Sequence, residues 1–109
     1  MGKKRKAFHL DESLSADQKV EALVAQSVKK AATKDWNAAE NMARRAVALA
    51  REAFYREEGH ILHAKSNLQL GIVNLSRGHY AQARKPIEIA QKIAESNNDH
   101  WFRAKVSTA

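Results

Sequence analysis

Sliding the chain against itself by 44 residues places Trp36 on Tyr80, Ala39 on Ala83, Ala46 on Ala90 and Ala50 on Ala94. The same offset brings Val24 onto Leu68, Val28 onto Ile72 and Ala31 onto Leu75. An offset of 40 carries Ile61, Leu62, Ala64 and Lys65 onto Trp101, Phe102, Ala104 and Lys105. A unit of 40–44 residues therefore recurs about two and a half times, and a period of that length is the mark of a repeat architecture. Within each unit the apolar residues fall at helical spacing in two runs. A helix with a single apolar stripe cannot bury it alone, so such hairpins have to stack.

Composition points the same way. One proline, four glycines and few β-branched residues among 109 suit an all-helical chain. With no cysteine, disulfides, thiolate metal sites and cysteine nucleophiles are excluded. No apolar run approaches the roughly 20 residues that span a bilayer, and no apolar segment follows the basic start as in a signal peptide. Four of the seven net positive charges sit in Lys3, Lys4, Arg5 and Lys6, leaving three for residues 7–109. The basicity is thus mostly a tail, which reads either as a solvated terminus or as a nuclear-import or nucleic-acid contact signal.

Taken in order, residues 1–14 show no sustained period and are expected to form a flexible basic tail, with 15–109 as the helical domain. Ser15 and Gln18 have capping-box spacing, opening a first helix through Val20, Leu23, Val24, Ser27, Val28 and Ala31 to about Thr33. After a turn at Lys34–Asp35, Asp35 caps a second helix with an alanine-rich stripe: Trp36, Ala39, Ala43, Ala46, Leu49, Ala50, Ala53 and Phe54. Gly59 is expected to close that helix in the left-handed conformation. The third helix runs from His60 to Ser76, buried through Ile61, Ala64, Leu68, Gly71 and Leu75. Gly78 marks the next turn, and Tyr80, Ala83, Ile87, Ala90, Ile93 and Ala94 stripe a fourth helix. Pro86 interrupts this pattern; either it kinks the helix or the helix begins there, and the phase shared by Tyr80, Ala83, Ile87 and Ala90 favours a kink. Asn97 and Asn98 close it, and Asp99 caps a fifth helix from His100 to about Ser107.

Leu70-Gly71, Gly78, Tyr80, Ala83 and Ala90 resemble the L-G…G-x-Y-x-x-A…A signature of the tetratricopeptide repeat family. The first hairpin matches it more weakly, with Ser27, Lys34 and Trp36 at the glycine, turn-glycine and tyrosine positions. The units are longer than the family's usual length of about 34 residues and resemble its longer-helix branch. The resemblance implies an all-α fold of antiparallel helical hairpins stacked as a short right-handed α-solenoid. It also implies a concave groove, lined by the first helix of each pair, that holds a partner peptide or helix. Carried over position by position, the groove residues are Val24, Val28, Ala31 and Ala32; Lys65, Leu68, Gln69, Ile72, Leu75 and Ser76; and Lys105. The family's carboxylate clamp of Lys, Asn and Arg is replaced by Val24, Val28, Leu68 and Ile72, so an apolar peptide or amphipathic helix suits this lining better. A second reading of the same stripe is packing against the next helix.

No Gly-rich phosphate loop and no Ser/His/Asp set occurs, so the chain is read as non-enzymatic and without a cofactor. His60 and His63, with His79 and His100, lack a carboxylate or thiolate to complete a metal set. Trp36 and Tyr80, equivalent in the repeat, read as residues that pack each hairpin. The arginines Arg44, Arg45, Arg51, Arg56 and Arg84, with Lys85, are interleaved with Glu40, Glu52, Glu57 and Glu88, which weakens a nucleic-acid face. The expected function is a scaffold that binds a protein or peptide, cytoplasmic and with no membrane partner. The alternative is a nucleic-acid-associated regulator, nuclear in a eukaryote, that uses Lys3–Lys6 and the helical body for dimerisation or effector binding. Because the last hairpin is incomplete, Trp101, Phe102 and Val106 either fold back onto the fourth helix, pair with a second copy in a homodimer, or belong to a longer array.

Overall fold

The computed structural model describes residues 10–52 and 59–97. Among these residues the fold is all-α: α1 (Ala16–Ala32), α2 (Trp36–Glu52), α3 (Gly59–Ser76) and α4 (Tyr80–Asn97). The helices pack as two hairpins, α1 on α2 and α3 on α4, and the hairpins stack through contacts of α3 with both α1 and α2.

Each boundary has a local cause. Ser15 Oγ accepts from the Gln18 backbone N–H at 3.2 Å, and the Ser15 N–H donates to Gln18 Oε1 at 2.9 Å, completing the capping box. Asp17 in the first turn and Lys29 and Lys30 in the last suit the helix dipole. The exit from α1 is a Schellman arrangement: Asp35 N–H donates to Lys30 O at 2.9 Å and Lys34 N–H to Ala31 O at 2.9 Å. The exit from α3 repeats it 44 residues on, His79 N–H to Asn74 O at 2.8 Å and Gly78 N–H to Leu75 O at 3.0 Å. Lys34 and Gly78 hold the left-handed residue of each turn, with φ of 62° and 78°. The sequence repeat is thus a repeat of hydrogen bonds as well as of residue types.

Packing follows the alanine stripe of α2. Ala39, Ala43, Ala46 and Ala50 are all buried, so α2 lies close against its neighbours. One core cluster joins Val20 and Leu23 of α1 to Ala46, Ala50 and Leu62; another joins Ala64 and Leu68 to Ala90 and Ala94. Gly71 lets α4 approach α3 closely: a Cβ built there would lie 2.5 Å from Ile87 Cγ1.

Several expectations are corrected. Gly59 is the first residue of α3 and does not close α2. In α3 it is Leu62 that enters the core, while Ile61 and Leu75 are half-buried, because the buried arc of a helix touched by three others is wide. In α2, Trp36 and Leu49 are likewise half-buried. Tyr80 is 70% exposed and so does not pack its hairpin. By contrast, α4 runs from Tyr80 through Pro86 as the shared phase of its apolar residues favours, and Pro86 is buried. The Gln82 carbonyl four residues back loses its helical donor, but Gln82 is exposed and water can serve it. Residues 10–14 make contacts of their own and with the helical domain. Leu10 packs against the first core cluster, Ser13 N–H donates to Asp11 Oδ1 at 2.9 Å, and Lys19 pairs with Glu12 at 3.0 Å. Ala53, Phe54, the fifth helix and the rest of the tail lie outside the described residues.

Candidate protein-interaction groove

α1 and α3, the first helices of the two hairpins, pack against each other, and the candidate groove is the surface between their exposed faces. Near its start is a depression of about 260 Å³ lined by Val20, Glu21, Val24 and Ala25 of α1 and by Leu62 and Lys65 of α3. Its floor is apolar, and its charges, Glu21 and Lys65, stand on opposite helices. The volume falls below the roughly 300–1,000 Å³ of small-molecule pockets, so it suits one or two side chains better than a cofactor. Further along, Val28 is 51% exposed and Ile72 38% exposed. These are the same position of the repeat on adjacent helices.

The predicted groove residues divide. Val24 and Lys65 line the depression, Val28 and Ile72 are exposed, and Ala31 and Leu75 are half-buried, with Ala32 and Ser76 exposed. Leu68 and Gln69 are corrections. Leu68 is only 8% exposed, in the core with Ala64, Ala90 and Ala94. Gln69 is buried, and its Nε2 donates to Ser27 Oγ at 3.1 Å, while Ser27 Oγ donates to Ala39 O at 2.7 Å. This chain of two bonds ties α3 to α1 and α1 to α2, so Gln69 spaces the groove walls and does not line them. Lys105, the cluster Lys3, Lys4, Arg5 and Lys6, and the proposed dimer residues Trp101, Phe102 and Val106 lie outside the described residues.

Glu21 and Ala25 were missed, although the repeat pointed to them. They are the 44-residue equivalents of Lys65 and Gln69. The polar content of α3 carried no such signal. His63, Ser66, Asn67 and Asn74 are all buried, and Ser66, Asn67 and Asn74 hydrogen-bond to carbonyls of their own helix: Ser66 to His63 O, Asn67 to His63 O and Asn74 to Leu70 O. Burial, helped by the nearby Arg51 charge, holds the His63 pKa below its ordinary value. A neutral ring fits the 3.4 Å approach of Asn67 Nδ2 to His63 Nε2.

A second tie between the hairpins is ionic. Arg77, at the α3 exit, reaches back to α2, donating to Glu40 Oε1 at 2.9 Å and to Asn37 Oδ1 at 3.2 Å. Arg44 Nε donates to the other Glu40 oxygen at 2.9 Å. Burial pushes the Glu40 carboxyl up, but the hydrogen bonds and charges of Arg44 and Arg77 outweigh it and hold the pKa below its ordinary value.

Among the described residues no three His, Asp or Glu side chains gather as a metal site, and no helix is long and apolar enough to cross a membrane. No protein-family model, curated protein or solved structure matches the chain.

Proposed function

We propose that this chain is a non-catalytic protein-interaction module whose α1–α3 groove binds an apolar or amphipathic segment of a partner protein. The observation that carries the reading is the pair Val28 and Ile72, large apolar residues left exposed at equivalent positions of neighbouring helices. An apolar side chain gains about 1.5–3 kcal/mol when fully buried, so two half-exposed ones are a substantial reserve for binding. Beside them the depression at Val24 and Lys65 offers a site for an anchoring side chain.

The test is Val28→Asp combined with Ile72→Asp. Both residues are exposed, so helical circular dichroism is expected to be unchanged while recovery of a co-purifying partner falls at least about tenfold. Unchanged recovery would remove the groove assignment. Leu68 is unsuitable for this experiment, because charge there breaks the core. Nucleic-acid association through Lys3–Lys6 is the competing reading. It calls for binding whose salt dependence flattens when residues 1–6 are deleted.

A further inference from the structure

Arg44, Val47, Ala48 and Arg51 stand at i, i+3, i+4 and i+7 on one face of α2. With Leu70 of α3 they enclose a shallow depression of about 200 Å³. No residue of α1 lines it, so it is distinct from the groove proposed above. Leu70 is 6% exposed and Val47 is half-buried, giving an apolar floor, while Arg44, Ala48 and Arg51 are exposed at its rim.

Glu40, the acidic residue paired with Arg44, does not cancel the positive charge around it. Glu40 is held by Arg44 and Arg77 at once, so one carboxylate faces two guanidiniums and a positive charge is left over. Arg51 adds a second at the other end of the depression. The two rim arginines are seven residues apart on α2, about 10 Å along the axis.

We infer that this notch is a second docking surface, for a helical segment of a partner protein with two acidic side chains two turns apart and an apolar side chain between them. A partner helix lying along α2 has the same rise per residue, so acids at i and i+7 meet both arginines. In an extended strand, side chains on one face recur about every 6.7 Å, and their multiples miss that separation. Nucleic acid would use the charge but leave Val47 and Leu70 without an apolar partner, since its backbone binding comes from phosphate neutralisation. The volume lies below the small-molecule range and takes a single apolar side chain.

The experiment is fluorescence anisotropy of the full chain with a labelled helical peptide carrying two glutamates seven residues apart and a leucine between them. Companion probes are the same peptide with lysines for glutamates, the same peptide with serine for leucine, and a duplex oligonucleotide. The acidic peptide is expected to bind, more weakly as salt rises. Both the lysine and the serine peptides are expected to bind at least about tenfold more weakly. Arg51→Glu and Ala48→Glu, both at exposed positions and checked by circular dichroism, are each expected to weaken the acidic peptide about tenfold or more. Val28→Asp with Ile72→Asp is expected to leave it unchanged, which separates this surface from the groove. Four results would overturn the inference: no binding of the acidic peptide, equal binding of the serine peptide, tighter binding of the oligonucleotide at the same residues, or indifference to both α2 substitutions.

Discussion

Lys34 holds its backbone at φ 62°, where a side chain costs about 1–2 kcal/mol and glycine does not. Its equivalent 44 residues on is Gly78, and both turns make the same two hydrogen bonds. The pair is therefore a natural control. Lys34→Gly is expected to stabilise the chain by about 1 kcal/mol and raise the melting temperature by several degrees. Gly78→Ala is expected to lower stability by a similar amount through the backbone alone, because nothing lies within 4 Å of the Cβ it would add. Thermal melts of the two variants check both signs. The turn at Lys34–Asp35 was legible from the repeat, which set a lysine on a glycine. Pro86 leaves two readings, and the shared phase of Tyr80, Ala83, Ile87 and Ala90 favours the continuous helix; its place on the buried side of α4, with an exposed Gln82 behind it, allows that continuity.

At the scale of the helices, the two hairpins solve one packing problem in opposite ways. In α1–α2, Ser27 on the first helix faces a second helix that has Ala43 one turn beyond Ala39, and its hydroxyl reaches the Ala39 carbonyl. In α3–α4 the equivalent positions are Gly71 and Ile87, and the isoleucine fills the space that a side chain at 71 would need. Gly71→Ala gains about 1 kcal/mol of helix propensity but forces Ile87 out of place, an overpacking cost of about 1–3 kcal/mol. The expected result is net destabilisation in urea that is largely relieved in an Ile87→Ala background, a coupling a double-mutant cycle measures. Ser27→Ala is expected to cost about 1–3 kcal/mol, because it leaves the buried Gln69 amide without its acceptor. Adding Gln69→Met should recover most of that loss. Recovery of none of it in chemical denaturation would show that the bond does not tie the hairpins. The glycine's role was readable from spacing; the bond between Gln69 and Ser27 was not, because it joins residues 42 apart through a buried contact that no local pattern announces.

For the whole molecule, α3 is the element that holds the rest together, since it packs against α1, α2 and α4. Its end at Ser76 and its apolar side follow from the sequence, but a single stripe understates how widely the helix is covered. Leu68, expected both in the buried stripe and in the groove, takes the first role, and Gln69, expected in the groove, is buried, while Val28 and Ile72 keep their exposure. The same cover also makes stability depend on pH. His63 has a lowered pKa in the fold, so the unfolded chain takes up a proton first as pH falls through its ordinary value near 6.5. The neutral ring's contribution is complete above that value and is lost progressively below it. Glu40, also lowered, adds a further loss as pH falls below about 4.5. Urea midpoints are expected to drop from pH 7.5 to pH 5 and to drop less in His63→Gln, and an equal drop in that variant would place the effect elsewhere. The bond between Ser27 and Gln69 has a last consequence. The first hairpin carries the socket, Ser27, but has Ala25 where the plug belongs; the second carries the plug, Gln69, but has Gly71 where the socket belongs. Two first hairpins cannot latch together this way, nor can two second ones. The joint therefore has a polarity, set by which hairpin carries the hydroxyl and which the amide.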